Sequence, residues 1–354
     1  MDNKLRIAIN GFGRIGRLFF RLTFNDPDFE IVAINDLGNL ENMVYLLERD
    51  TVYGEYNEKV SFEKSEDKLG KTLSVGKLIV NSQKILFFQE KDPVNLPWKD
   101  LNIDLVIEST GAFESYEKSK AHLLAGAKRV LISAPSKDED NDFGKTVLIG
   151  INESDIKSST ITSNGSCTTN ATHPVIQILN DKIGIKKAIL STVHAYTATQ
   201  SLTDSPVKGN DLRRGRAGAN NIVPSTTGAA LTIGKVIKDL DKKFDGISFR
   251  VPVICGSLAD ITMVTKRITT VEEINDILEK ASQEQRWNKI MKVTKEQLVS
   301  SDIIGEEYGA IIDLNFTKVV DGDLVKVLSW YDNELGYART LVEHARLIKN
   351  NLNS

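Results

Sequence analysis

The first third of the chain alternates two hydrophobic periods. Short apolar runs at 5–10, 30–35, 104–108 and 129–133 read as buried strands, while helical patterns occupy 16–23 and 116–124, the latter ending at Gly126. Residues 72–80 and 84–88 read as two strands parted by Asn81-Ser82-Gln83, a hairpin signal. Strands separated by helices at this spacing predict βαβ units and a parallel sheet covered on both faces. Beyond about residue 150 the pattern changes. Strands expected at 187–196, 247–253, 259–267, 310–317 and 326–330 are longer and two-faced, as in an antiparallel sheet with one face packed on helices at 169–182, 228–238 and 271–282. A last helix, 334–351, carries an apolar stripe at Leu335, Ala338, Leu341, Ala345 and Ile348. The segment from Thr197 to about Asn220 has no period and is longer than most loops of compact domains, which marks it as functional.

Composition narrows the class. The chain has 354 residues, enough for two domains with their own cores, and 45 Lys and Arg against 48 Asp and Glu leave a net charge of −3, so bulk electrostatics favour neither nucleic acid nor a membrane surface. No stretch approaches the roughly 18 apolar residues of a membrane span, and MDNKLRIAIN runs straight into a strand pattern without a leader, so a cytoplasmic location is expected. Two cysteines, Cys167 and Cys255, supply neither a disulfide framework nor a Cys-rich zinc site, and the four histidines lack H-E-x-x-H spacing; no metal is expected. The acidic run 137–142 reads as a solvated loop, and the cationic run 208–216 as a surface patch or subunit contact.

Three constellations carry chemistry. Gly11, Gly13 and Gly16 follow a strand and open a helix, and Asp36 ends the second strand. In that context the glycines permit a tight turn, close approach of backbone to a pyrophosphate, and close helix–strand packing. The carboxylate suits ribose hydroxyls and repels a 2′-phosphate, which favours NAD over NADP. Ser163 to Asn170 (SNGSCTTN) places Cys167 near a helix N-terminus, where the thiolate is favoured, and His194 ends a strand 27 residues on; together they suit a thiolate–imidazolium nucleophile. The residues alone also allow an inert buried cysteine beside a satisfied histidine. Cys255, after the apolar run 251–254, reads as a core residue, and His122, His173 and His344 as structural or surface residues. Thr197, the run Ser225-Thr226-Thr227-Gly228 before a helix, and Arg250 in a strand suit phosphate oxygens if the fold brings them together.

At these residues the sequence resembles phosphorylating glyceraldehyde-3-phosphate dehydrogenase. The matching stretches include INGFGRIGR (9–17), IVAINDL (31–37), SAPSKD (133–138), SNGSCTTN (163–170), VHAYTATQ (193–200), DLRRGRAG (211–218), PSTTGAA (224–230), FRVPV (249–253) and SWYDNELGY (329–337), in the family's order over nearly the whole chain. The resemblance implies an α/β protein: a Rossmann-type NAD-binding domain at 1–150 and an α+β catalytic domain with a mostly antiparallel sheet at 151–333. The helix 334–354 would pack back onto the first domain. It implies that Cys167 attacks the aldehyde of glyceraldehyde 3-phosphate with His194 as base, and that inorganic phosphate cleaves the resulting thioester. Thr197, Arg214 and Arg250 would hold the substrate phosphate, and Ser166, Thr168, Thr227 and Gly228 the attacking one. Gly11, Gly13, Arg14, Ile15, Gly16, Asp36, Lys91 and Ser133 would contact NAD, and Asn333 would hold its carboxamide.

The same resemblance implies a homotetramer, with the 197–220 segment packing against a neighbouring NAD site. There are departures from the family pattern: Gly165 replaces its common Ala, Ala171 its second cysteine, Lys91 its usual Arg, and Ser205-Pro206 the Leu-Pro of many NAD-specific members. The stretch Ile254 to Asp260 departs from the usual T-P-N-V-S-V-V-D after the Arg strand, which bears on the local packing there. Erythrose-4-phosphate dehydrogenase is the nearest alternative, and its members typically lack the Thr of HAYTATQ and the Thr-Gly of PSTTGAA. A non-catalytic NAD- or RNA-binding homologue using the Arg-rich loop is a third; it would have no need of a thiol at a helix N-terminus.

Overall fold

The first sheet is made of β1 (Leu5–Asn10), β2 (Phe29–Asn35), β3 (Val60–Glu63), β4 (Gly76–Val80), β5 (Gln83–Phe88), β6 (Leu105–Glu108), β7 (Arg129–Ile132), β8 (Gly144–Thr146) and β9 (Ile161–Ser163). Their order is β8-β9-β7-β6-β1-β2-β5-β4-β3, parallel from β8 to β5 and antiparallel through the last two. The chain winds outward from β1 in both directions, so the carboxyl ends of β1, β2 and β6 meet at a topological switch point, where ligands of such sheets bind. Helices α1 (Arg14–Thr23), α2 (Leu40–Glu48) and α3 (Tyr116–Leu124) accompany this sheet. This computed structural model describes residues 4–65, 68–69, 72–207 and 210–352.

Most strands form where the apolar runs predict. Val80 pairs with Gln83, so the hairpin turn is Asn81-Ser82, with Asn81 at φ 55°, a left-handed conformation that suits asparagine. The strand expected at 72–80 is divided: residues 72–73 pair with 68–69, and the ladder strand starts at Gly76. Helix α2 escapes the sequence reading, although Asn39 caps it by accepting from the Glu41 N–H and Leu40, Val44 and Leu47 form its buried stripe. The acidic run at 137–142 is more than a solvated loop. Asp138 accepts from the Glu117 N–H in the first turn of α3, and Asp140 accepts from the Tyr116 hydroxyl and the Thr146 N–H. Lys208 and Gly209 of the cationic run lie outside the described residues, as do residues 1–3 and 353–354.

The second sheet contains β10 (Ile185–Ala195), β11 (Val223–Thr226), β12 (Phe244–Val251), β13 (Ser257–Thr265), β14 (Met291–Thr294), β15 (Ala310–Val320) and β16 (Leu324–Tyr331). Its order is β11-β12-β10-β13-β16-β15-β14, antiparallel except for β10 with β12 and β14 with β15. Helices α4 (Cys167–Lys182), α5 (Ala229–Val236) and α6 (Val271–Ser282) pack against it, and α7 (Leu335–Leu352) closes the chain. Alternation is regular: Ser257, Ala259, Ile261, Met263 and Thr265 of β13 are buried while the residues between them are half-exposed.

The two compact units interleave along the chain. One comprises residues 1–147, 153–165 and 341–354, the other 148–152 and 166–340. Strand β9 joins the parallel sheet beside β7 and β8, which keeps 153–165 with the first unit. Trp287 packs against Gly150, and His173 bonds the Ile149 carbonyl, which ties 148–152 to the second. In the C-terminal stretch, Arg346 pairs with Asp26 and Asp28, and Lys349 with Asp28, fastening the end of α7 within the first unit.

Candidate active site

At the switch point of the first sheet lies a cavity of about 420 Å³ lined by Asn10, Gly11, Gly13, Asn35, Asp36, Lys91, Ser109 and Thr110, among others. Its chemistry fits a dinucleotide. Gly11 has φ +95°, and a Cβ there would stand 2.6 Å from the Ser109 carbonyl carbon; a Cβ at Gly13 would meet nothing within 4 Å, so backbone can approach a ligand there. A Cβ at Gly16 would reach within 2.1 Å of the Gly11 oxygen, so only glycine lets the turn and the helix pack. Gly13 is the N-cap of α1, with no side-chain cap and no acidic residue in the first turn, an arrangement suited to a pyrophosphate. Asp36 is held by the Phe12 and Gly38 N–H groups, each at 2.7 Å, which aims its carboxylate at the cavity edge.

The remaining residues expected around NAD are placed unevenly. The Arg14 guanidinium pairs with Asp50 and lies over the Tyr53 ring, leaving the main chain of Arg14 and Ile15 as what the helix start can offer. Lys91 is exposed on the cavity wall, and Ser133 follows β7 at the carboxyl edge of the sheet, its N–H bonded to the Glu108 carbonyl. Beneath the cavity, Trp98 Nε1 donates to His122 Nδ1 at 3.1 Å, which leaves the His122 Nε2–H for Glu108 at 3.0 Å. Glu108 in turn accepts from Asn10, whose Oδ1 accepts from Asn35. This buried chain sets the strand ends that line the cavity.

In the second unit, Cys167 is the first residue of α4. Ser166 caps the helix in a reciprocal box with Thr169. Cys167 Sγ lies 3.4 Å from His194 Nε2. Strand register explains why the histidine is there: β10 and β12 pair in parallel with His194 opposite Arg250, so both side chains share the face that α4 covers. His194 Nδ1 is 2.7 Å from the Ala195 carbonyl and 2.5 Å from Arg250 Nη1. These neighbours ask for opposite tautomers. Only the proton on Nδ1, donated to Ala195, leaves Nε2 able to accept the thiol proton.

The surroundings of the pair act in opposing directions. Burial pushes the Cys167 thiol up, while the Arg250 guanidinium and the Thr168 hydroxyl pull it down. Burial, with Arg250 adding to it and the Ala195 carbonyl opposing, pushes His194 down to about 3. Burial thus opposes the charging of both groups, while the helix N-terminus and Arg250 favour the thiolate. Arg250 is itself depressed, by burial and by the nearby Arg214, so an anion between the two guanidiniums would relieve an unfavourable pairing of charge.

The other residues expected to serve phosphate and carboxamide divide into committed and open groups. Ser166 is held in the capping box, and the Thr168 hydroxyl bonds Tyr331 Oη at 2.9 Å. Among the described residues Thr197 bonds within its loop, to Thr199 and Gln200, while a Cβ at Gly228 would meet nothing within 4 Å. Thr227 accepts from the Ala229 N–H at the start of α5. In the long loop, Arg213 and Arg216 pair with Asp211 and Asp204, whereas Arg214 turns to Ser225 of β11, next to the Arg250 strand. Asn333 is nearly buried, its Oδ1 held by Ser257 and Gly256.

Tyr331 and Thr192 went unremarked in the sequence. Tyr331 Oη sits between Thr168 and Thr192, and its ring meets His194 edge-on at 5.9 Å. Its signal was the alternation of β16, which buries Tyr331 on the His194 face. Cys255 is fully buried and donates to Asp332, as a core residue would. His122, His173 and His344 are fully buried and structural, so none is a surface residue.

Residues 5–116 match the NAD binding domain of glyceraldehyde 3-phosphate dehydrogenase, and residues 166–333 its C-terminal domain. A glyceraldehyde-3-phosphate dehydrogenase of Thermotoga maritima is 46% identical over 97% of this chain and 98% of its own length. Those of Borreliella burgdorferi and Clostridium pasteurianum are 43% and 42% identical, over 98% and 95% of this chain and 100% and 96% of their own. With the nucleotide cavity at the switch point and the Cys167–His194 contact, the chain belongs to the glyceraldehyde-3-phosphate dehydrogenase family.

Proposed function

We propose that the protein oxidises glyceraldehyde 3-phosphate with NAD and inorganic phosphate to 1,3-bisphosphoglycerate, with Cys167 as nucleophile and His194 as base. The observation that carries this reading is the 3.4 Å contact between Cys167 Sγ and His194 Nε2 at a helix N-terminus. His194 takes the thiol proton as sulfur bonds the aldehyde carbon and passes it to the aldehyde oxygen, giving a thiohemiacetal and leaving His194 neutral again. The Cys167 main-chain N–H and His194 stabilise its oxygen. His194 then takes the hydroxyl proton as the carbon loses a hydride, leaving a thioester on Cys167. When bound, NAD supplies the hydride acceptor. Phosphate oxygen attacks the thioester carbon, the C–S bond breaks, and the Cys167 thiolate leaves with the acyl phosphate formed.

The substrate phosphate is assigned to Thr197, Arg214 and Arg250, and the attacking phosphate to Ser166, Thr168, Thr227 and Gly228. Thr168 would contribute through its main-chain N–H, since its hydroxyl is engaged with Tyr331, whereas the Ser166 main-chain N–H is held by Thr169 Oγ1, so Ser166 would contribute through its hydroxyl hydrogen. Gly11, Gly13, Arg14, Ile15, Gly16, Asp36, Lys91 and Ser133 serve NAD, with Asp36 disfavouring NADP, and Asn333 orients the carboxamide. A domain division of 1–150 and 151–333, with 334–354 serving the first, remains the functional reading.

A homotetramer is proposed on two grounds, the family resemblance and one apolar face. Register aligns Ile189 and Val193 of β10, Ile247 of β12, and Leu324 of β16 on the sheet face opposite α4, and all four are exposed. The long loop 197–220 would meet a neighbouring NAD site in that assembly. No described helix is long and apolar enough to cross a membrane, and a cytoplasmic location is proposed with it.

The test is NADH formation from glyceraldehyde 3-phosphate with and without inorganic phosphate, using NAD and NADP in parallel, for the parent and Cys167→Ser. Dependence on phosphate and loss in the Ser variant are expected. Equal rates without phosphate would remove the phosphorylating assignment and favour a hydrolytic relative such as erythrose-4-phosphate dehydrogenase.

A further inference from the structure

The stretch 254–256, which departs from the family pattern, leads into Ser257, where three strands of the second sheet have their ends. His194 and Ala195 close β10, Ser257 opens β13, and Tyr331, opposite Ser257 in register, closes β16. Val193 opposite Leu258 is the last β10–β13 pair, so the Ala195 N–H lies beyond the backbone ladder. It donates instead to Ser257 Oγ, at 3.1 Å. The same hydroxyl donates to Asn333 Oδ1, at 2.8 Å. Ser257 is 1% exposed, so neither bond is shared with bulk solvent.

We propose that Ser257 is a positioning residue that couples the amide of Asn333 to the strand end carrying His194. The proposal rests on the reading of Asn333 as the group that orients the cofactor carboxamide. A hydroxyl suits the position because it must accept from Ala195 and donate to Asn333 at once. Alanine does neither, and threonine keeps both functions. With Oδ1 occupied by Ser257 and by the Gly256 N–H at 3.2 Å, the Asn333 amide is fixed, and among the described residues none takes Nδ2, which is left for a ligand. The next residue back also supports this corner: the Cys255 thiol donates to Asp332, adjacent to Asn333. Ser257 thus holds the nicotinamide-orienting amide and the base in one frame, through a single oxygen.

The experiment uses the full chain in four forms: parent, Ser257→Ala, Asn333→Ala and the double variant, with Ser257→Thr as the conservative control. Thermal melts establish folding, and KM for NAD, KM for glyceraldehyde 3-phosphate and kcat are read for each. Ser257→Ala is expected to raise KM for NAD roughly 5- to 10-fold with KM for the aldehyde little changed, as for loss of one buried hydrogen bond. Ser257→Thr should restore parent behaviour. In the Asn333→Ala background, Ser257→Ala should add less than about twofold, because the hydroxyl acts through that amide. If Asn333→Ala raises KM for NAD while Ser257→Ala does not, or if the two effects multiply in full, this proposal fails alone. If Asn333→Ala leaves NAD kinetics unchanged, the carboxamide reading fails and takes the coupling with it.

Discussion

His194 Nδ1 lies between two groups with opposite demands, the Ala195 carbonyl at 2.7 Å and Arg250 Nη1 at 2.5 Å. The carbonyl wants a proton on Nδ1; the guanidinium wants a lone pair. Since Arg250 also pulls the Cys167 thiol down and His194 down, one cation adjusts both members of the pair. An anion drawn to Arg250 therefore bears on nucleophile and base together.

Removing that cation has a signed consequence. Arg250 stabilises the Cys167 thiolate, so Arg250→Gln should move the midpoint of alkylation by an iodoacetamide-type reagent to higher pH. Activity should fall about 10²-fold or more, with KM for the phosphorylated substrate rising, since a charged hydrogen-bond partner of an anion is lost. An unchanged alkylation profile would show that Arg250 does not act on the thiol.

The two cysteines should separate by reactivity. Cys167 is half-buried against the base, whereas Cys255 is fully buried and bonded to Asp332. Alkylation followed by peptide mass mapping should label Cys167 far faster, and NAD reduction should disappear in step with that label. Preferential labelling of Cys255 would reverse the assignment of the activated thiol. Among the described residues no third thiol exists to resolve an oxidised Cys167, so peroxide should drive it to sulfenic and higher acids unless an external thiol caps it.

Two glycines of the nucleotide turn should respond differently. Gly11→Ala is strained by its φ of +95° and by a Cβ placed 2.6 Å from Ser109, so it should lower the melting temperature as well as NAD affinity. Gly13→Ala meets nothing in the protein, so its fold should melt near the parent while KM for NAD rises about 10-fold or more. Normal NAD kinetics in Gly13→Ala would remove the pyrophosphate from that spot.

Acid should destabilise the fold through histidines buried without charge. In the native state burial holds His173 at about 4 and His194 and His344 at about 3, against an ordinary value of 6.5. Below pH 6.5 the unfolded chain takes up protons that the folded chain does not. The stabilising contribution is therefore complete above that pH and lost progressively down toward pH 4 for His173 and pH 3 for the others. Each group gives a slope of about 1.4 kcal/mol per pH unit within its window. Denaturant melts at pH 7, 6 and 5 should show the decline, and His344→Leu, although less stable throughout, should show a shallower one. A flat profile between pH 7 and 5 would mean these imidazoles are charged in the fold.

Local order told most where it was enough. The nucleotide turn is legible because Gly11, Gly13 and Gly16 each answer a steric demand within one strand–turn–helix unit. The seat of Cys167 is legible because Ser166 and Thr169 cap a helix over four residues. The alternation of β13 and β16 likewise betrayed a sheet with one covered face. These readings succeed because neighbours in the chain are neighbours in space.

What the sequence determined by itself was thus an inventory of elements and the residue types able to do chemistry, with the family resemblance naming their roles. Tertiary structure decided the rest. His194 meets Arg250 because two strands 56 residues apart pair in parallel register. Tyr331 and Ser257 join the site because β13 begins, and β16 beyond it ends, level with the end of β10. The directions in which Cys167 and His194 are shifted followed neither residue type nor helix position, but foremost the desolvation that packing imposes. Register and burial are sums over distant contacts, and no local window of the chain contains them.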